Sequence, residues 1–270
     1  MKKFLYIFAI FIVLSSCSEY QKAVKSVDVG TKFKVGEKLY NEGKFDKANK
    51  LFVQIVPNYR GKPQAEKLMF LYSNSFYEME DYYLASYQFE RFASAYPKSE
   101  KVEEALFLSA KSLYMLSPVY SKDQKETREA VDKLQVFINT YPDSEYFAEA
   151  NILVRELDFK LEKKAFETAK QYNTIGAYNG DYNASIKAFD NFIFNFPGSS
   201  LREEALFYRL DSAYKLAINS TERKKQDRLE TAKLYYYSFN KAYATSKFTE
   251  DTDKMISDIE TELKNYSTKS

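Results

Sequence analysis

The chain repeats itself, and the period fixes most of what it can fold into. At an offset of 37 residues Phe33, Phe70 and Phe107 coincide, as do Gly36, Ser73 and Ala110, then Leu39, Phe76 and Leu113, then Tyr40, Tyr77 and Tyr114. The register continues through Phe45 with Tyr82, Ala48 with Ala85 and Phe52 with Phe89. A second echo at an offset of 100 carries Pro97, Glu103, Glu104, Ala105, Leu106 and Tyr114 onto Pro197, Glu203, Glu204, Ala205, Leu206 and Tyr214. A period in the thirties holds two short helices, which bury their apolar faces only by stacking on the next pair. Composition agrees: 7 Gly and 6 Pro against 24 Tyr and 22 Phe leave few turn residues for a many-stranded sheet.

Within each period the spacing predicts a helix hairpin. Gly36 is the small residue of the first helix that lets the second approach, and Phe45, Ala48, Phe52 and Ile55 form the apolar stripe of that second helix. The stripe recurs as Tyr82, Ala85, Phe89 and Phe92 before Pro97, as Ala130, Leu134 and Phe137 before Pro142, and as Tyr182, Ser185, Phe189 and Phe192 before Pro197. A fifth version is Leu229, Ala232, Tyr236 and Phe239. Small residues at fixed points, aromatics between them and a closing proline make the tetratricopeptide pattern. The expected fold is all-α, a right-handed superhelical solenoid of about five such hairpins with a C-terminal capping helix. Hairpins one to three occupy 30–143, hairpins four and five 144–247, and the cap and tail 248–270.

Departures from the period are also readable. Residues 117–124 form a loop inserted in the third hairpin, and residues 221–228 a charged insert between the helices of the fifth. From about 144 to 175 Ile152, Leu153, Leu157, Leu161, Ala165 and Ala169 keep helical spacing, which predicts one long helix that ends before a turn flanked by Gly176 and Gly180. Met255, Ile256, Ile259, Leu263 and Tyr266 share one face of the final helix, with Thr249 at its start.

The N-terminus is a separate object. Lys2 and Lys3 precede eleven apolar residues from Phe4 to Leu14, too few to cross a bilayer, which needs about 20. This is a secretory leader over 1–16, and its Leu-Ser-Ser-Cys ending resembles a lipobox, in which Cys17, the single cysteine, is acylated. Residues 17–29 are then a lipidated linker. Cleavage removes Lys2 and Lys3 and no acid, so the 40 Lys+Arg fall to equal the 38 Asp+Glu and the formal charge becomes zero, with no basic field for nucleic acid.

Catalysis finds little to work with. The chain has no histidine, and one cysteine excludes an intrachain disulfide and a Cys/His zinc site. Ser212 with Lys215, and Ser238 with Lys241, match Ser-x-x-Lys without the accompanying motifs. Glu103/Glu104 and Glu203/Glu204 point about 100° apart on a helix and cannot converge on one bond, so they read as first-turn charge, with Ser200 and Glu203 spaced as a capping box. No catalytic residue, metal site or cofactor is expected beyond the lipid on Cys17, and the chain is read as a non-enzyme.

A lipobox followed by about five tetratricopeptide hairpins resembles the BamD-type assembly factors of the bacterial outer membrane. The resemblance also rests on Tyr-Pro-Asp-Ser at 141–144, the long helix from Leu153 to Ala169, the segment from Gln171 to Tyr178 and Phe-Pro-Gly-Ser at 196–199. It implies a periplasm-facing lipoprotein of the outer membrane that docks on an Omp85-type insertase, alongside other assembly lipoproteins, and receives unfolded β-barrel chains.

The resemblance places the insertase contact on hairpins four and five, where Lys187, Asp190, Arg202 and Arg209 are the candidate interface charges. It also implies a substrate peptide ending in an aromatic residue and a carboxylate. Tyr59, Arg60 and Lys62, in the loop 57–63, are candidates to hold it. The Tyr40, Tyr77 and Tyr114 row is a second candidate surface. That row, like the Phe33, Phe70 and Phe107 row, either fills the space between helices or lines the groove. The alternative function is a glycan-binding lipoprotein on the same scaffold, which would favour tryptophan platforms; the chain has no Trp.

Overall fold

The computed structural model describes residues 19–267; the leader 1–16 and Cys17 lie outside the described residues. Every regular element among the described residues is helical. After a helical segment at 19–25, the elements are α1 (Val29–Asn41), α2 (Phe45–Ile55), a 3₁₀ turn (Val56–Tyr59), α3 (Ala65–Glu78), α4 (Tyr82–Ala95), α5 (Val102–Leu116) and α6 (Lys125–Thr140). They continue as α7 (Phe147–Asn179), α8 (Asn183–Asn195), α9 (Arg202–Ile218), α10 (Glu222–Ala242) and α11 (Thr249–Ser267). Consecutive helices pair as hairpins, as the repeat requires.

The chain forms two compact units, one of residues up to Pro118 with Asp123–Leu157, the other of Val119–Lys122 with Asp158 onward. The change falls inside α7. The first half of α7 serves as the next stacking helix of unit 1, where Ala150, Leu153, Val154 and Leu157 pack with Phe107, Leu134 and Phe137. Its second half is the first helix of the fourth hairpin, with Phe166 and Ala169 against Phe189 and Phe192. Ile152 does not belong to the stripe, being half exposed at 51%.

Within the expected linker, structure begins at residue 19 among the described residues. Residues 19–25 are helical, Ala23 is fully buried in the unit 1 core, and Glu19 pairs with Lys38 at 2.6 Å. Asp28 then caps α1 by accepting from the Gly30 and Thr31 amides at 3.2 and 2.8 Å.

The ends of the second helices share one device. Tyr96, Tyr141, Phe196 and Tyr243 are C-caps with nearly the same backbone angles, and in the first three a proline follows that excludes α geometry. Each cap ring folds back onto the Phe one turn earlier: Phe92–Tyr96 at 5.4 Å, Phe137–Tyr141 at 5.4 Å, Phe192–Phe196 at 5.2 Å and Phe239–Tyr243 at 6.0 Å. Three residues on, Ser99, Ser144, Ser199 and Ser246 each accept a backbone N–H two residues ahead, at 3.0–3.1 Å.

These turns correct the capping-box reading. Leu201 is the N-cap of α9 without a side-chain bond, so Ser200 does not cap it. Glu203 instead accepts from the Ser246 hydroxyl at 2.5 Å, as Glu66 does from Ser99 at 2.5 Å.

Residues 221–228 are a correction too. They are not an inter-helix loop; Thr221 is the N-cap of α10, and the charged residues build its first two turns. Lys225 pairs with Glu262 at 2.9 Å, and Tyr266 donates to Glu222 at 2.7 Å, so the added turns hold the capping helix α11. Ile256, Ile259, Leu263 and Tyr266 of α11 pack on Ala213, Ala217, Leu229 and Ala232.

Two glycines are set by close approach. A Cβ on Gly36 would stand 2.7 Å from the Phe52 ring, which is fully buried and has nowhere to go. Gly176 lies inside α7 rather than in a turn, and its Cβ would meet the Tyr182 ring at 2.6 Å. Gly36→Val is therefore expected to lower stability by about 1–3 kcal/mol through overpacking. A urea midpoint that falls at unchanged slope would show it; an unmoved midpoint would mean that the α1–α2 contact is loose.

Candidate functional site

Unit 1 carries a cleft of about 790 Å³ between α2 and α4, floored by α3. Ala65, Met69 and Tyr72 form the floor, Val53, Val56 and Tyr59 one wall, and Tyr87, Arg91 and Tyr96 the other. Its walls are the second helices α2 and α4, and only its floor belongs to a first helix. Its only full charges are Arg60, Arg91 and Glu90, and Glu90 is engaged by Lys133 of α6. Arg60 and Arg91 are exposed. The Arg91 guanidinium lies 5.8 Å from the Tyr87 ring and bonds Gln88 at 3.2 Å. The recess is thus apolar and aromatic inside with two cations at its mouth, an arrangement that suits an aromatic group beside a carboxylate.

The structure places the loop candidates differently from one another. Tyr59 is 5% exposed, because the 3₁₀ turn and the left-handed Gly61 (φ 79°) fold it inward against Phe33, ring centroids 5.6 Å apart. It is a core residue whose edge lines the cleft, and burial raises its phenol pKa. Lys62 sits with its ammonium 5.2 Å from the Tyr59 ring and does not line the cleft, while Arg60 does. Arg91, Tyr72 and Tyr87 were missed by sequence reasoning. Arg91 sits on a helix whose repeat signal marks only its buried face.

The Phe33, Phe70 and Phe107 row fills the space between helices. Phe33 and Phe107 are buried, Phe70 lies edge-on to Phe89 and Phe92, and Phe107 stacks on Tyr146 at 4.7 Å. The tyrosine row ties each first helix to the next one. Tyr40 accepts from Asn74, Tyr77 pairs with Lys111, and Tyr114 donates to Glu156 at 2.5 Å. Tyr214 repeats the tie in unit 2, donating to Asp258 at 2.7 Å. None of the row lines the cleft.

These ties carry a pH signature. The Glu156 hydrogen bond, then burial, pushes the Tyr114 phenol up to about 12, and burial, then the Asp258 bond, does the same for Tyr214. Folding thus favours the neutral phenols, so their contribution is complete below about pH 10 and is lost as pH rises toward about 12. Between pH 9 and 11.5 wild type should lose more stability than Tyr114→Phe/Tyr214→Phe. Parallel pH profiles of the two urea midpoints would contradict the ties.

A family model described as YfiO, outer membrane lipoprotein, matches residues 27–180, more than half of the chain. The chain belongs to the YfiO family of outer membrane lipoproteins. Its relatives include the outer membrane protein assembly factor BamD of Caulobacter vibrioides, 29% identical over 138 residues, 51% of this chain and 43% of that one. The chain therefore matches less than half the length of that relative. BamD of Neisseria gonorrhoeae is 25% identical over 209 residues, 71% of this chain and 78% of its own. The whole cleft, from Val53 to Tyr96, falls inside the YfiO span.

Beyond that span lie the four interface candidates of this YfiO member, and three of them are engaged internally. Arg209, its side chain 11% exposed, pairs with Asp190 at 3.1 Å and stacks 4.1 Å from the Tyr235 ring. Arg202 donates to the Ile193 carbonyl at 2.7 Å. Lys187 is exposed on α8. Arg202, Arg209 and Asp190 hold α8, α9 and α10 together, so reversing them tests folding before it tests docking. Among the described residues no helix is long and apolar enough to cross a membrane.

Proposed function

We propose that this YfiO-family chain is a scaffold of outer-membrane protein assembly, held to the inner leaflet of the outer membrane by acyl chains on Cys17 and facing the periplasm. Unit 2 docks on the soluble domains of an Omp85-type insertase, with other assembly lipoproteins alongside, and the unit 1 cleft receives the end of an unfolded β-barrel chain. The observation that carries this reading is the position of the cleft inside the family span, with Arg60 and Arg91 beside an aromatic interior. A terminal aromatic ring fits the interior, and its carboxylate meets two guanidinium groups able to make charge-assisted bonds. The work is binding and positioning; no bond-making step is assigned.

Affinity purification of the tagged lipoprotein from detergent-solubilised membranes tests the reading. An Omp85-type barrel protein should copurify, and its absence with recovery of a nutrient-uptake barrel instead would overturn the assembly role. Anchoring is checked separately. Cys17→Ser is expected to remove the chain from the outer-membrane fraction, because the several acyl chains of a mature lipoprotein anchor firmly where one binds only marginally. Retention of the serine variant in cells lacking the copurifying partner would contradict a lipid anchor.

A further inference from the structure

The cleft occupies one flank of α4, and a second recess of about 220 Å³ occupies the other flank, between α4 and α6. Leu106, Val136, Phe137 and Tyr141 supply its apolar lining. Val136 is 65% exposed, an aliphatic side chain held open to solvent at the recess mouth. Glu90 belongs to the walls of both recesses and is paired with Lys133, so the ridge between them carries balanced charge. Asp132 also lines the second recess, so net positive charge is confined to the first cleft, at Arg60 and Arg91.

This asymmetry gives a bound chain a direction, with an anionic end in the first cleft and a neutral apolar side chain in the second recess. Recesses flanking one helix lie about a helix diameter apart, ~10–12 Å. An extended chain rises ~3.3 Å per residue and returns to the same face only at even spacings, so about four residues bridge them. We propose that the α4–α6 recess is a second subsite, taking an apolar side chain four residues upstream of the terminal aromatic residue of an extended peptide. This rests on the reading of the first cleft and adds a selectivity to it.

The test is a fluorescence-anisotropy titration of the full mature chain with ten-residue peptides ending in Phe and a free carboxylate. They carry leucine four residues upstream, leucine three residues upstream, or serine at both places. Burial of one leucine side chain predicts about tenfold tighter binding for the first peptide than for the other two. Val136→Asp, an exposed change that leaves the thermal melt in place, should bring the first peptide to the affinity of the serine peptide. Equal affinity for all three, or a leucine preference that survives Val136→Asp, overturns the second subsite and leaves the first cleft standing. Failure of every peptide to bind, or equal binding after C-terminal amidation, overturns the first cleft and the subsite with it.

Discussion

Tyr59→Ala should cost about 3–5 kcal/mol of stability, the range for truncating a buried aromatic side chain. Its ring is 5% exposed, packs on Phe33 and carries the Lys62 ammonium on its face. Tyr59→Phe keeps that ring and should change stability far less. Urea denaturation of the two variants separates the cases: a large midpoint loss for alanine with near-wild-type phenylalanine places the ring in the core. A normal melt for Tyr59→Ala would return Tyr59 to the solvated surface that its loop position suggested. Because alanine at 59 disturbs the fold, loss of binding there says nothing of direct contact, and the binding test belongs to the exposed cations.

Arg60→Glu with Arg91→Glu is the second large effect. Both side chains are exposed, so folding should move by no more than about 0.5 kcal/mol. Affinity for a peptide ending in an aromatic residue and carboxylate should fall tenfold or more, since charge-assisted bonds are worth ~1.5–3 kcal/mol each and 1.4 kcal/mol is a factor of ten. Lys62→Glu alone should fall well short of this, because Lys62 lies outside the cleft. A double reversal that binds as tightly as wild type would remove the cleft from consideration.

The all-helical fold, the hairpins and the long α7 were legible because each depends on spacing along one helix. Gly36, Ala48 and Phe52 announce a close helix pair in any chain that repeats them. The site was less legible because it is made between helices. Tyr59 sits in a segment with the composition of a solvated loop, and the 3₁₀ turn with the left-handed Gly61 places its ring inward. Arg209 looks like a surface cation on α9, yet Asp190 on α8 and Tyr235 on α10 close around it. The tyrosine row was found by its period, but its partners change: Asn74 and Lys111, both 34 residues on, differ in chemistry, and Glu156 and Asp258 lie 42 and 44 residues on. The charges at 221–228 were read as an interruption because polar helix turns and polar loops share a composition; their partners on α11 decide for helix.

Photocross-linking in growing cells tests the central claim most directly, with a light-activated amino acid at Tyr87, 54% exposed on the cleft wall, and at Lys187 on α8. Newly synthesised β-barrel chains should be captured at position 87, and the capture should disappear in the Arg60→Glu/Arg91→Glu background. Barrel chains captured equally at both positions, or at neither while the protein is correctly anchored, would contradict a substrate-receiving cleft in unit 1.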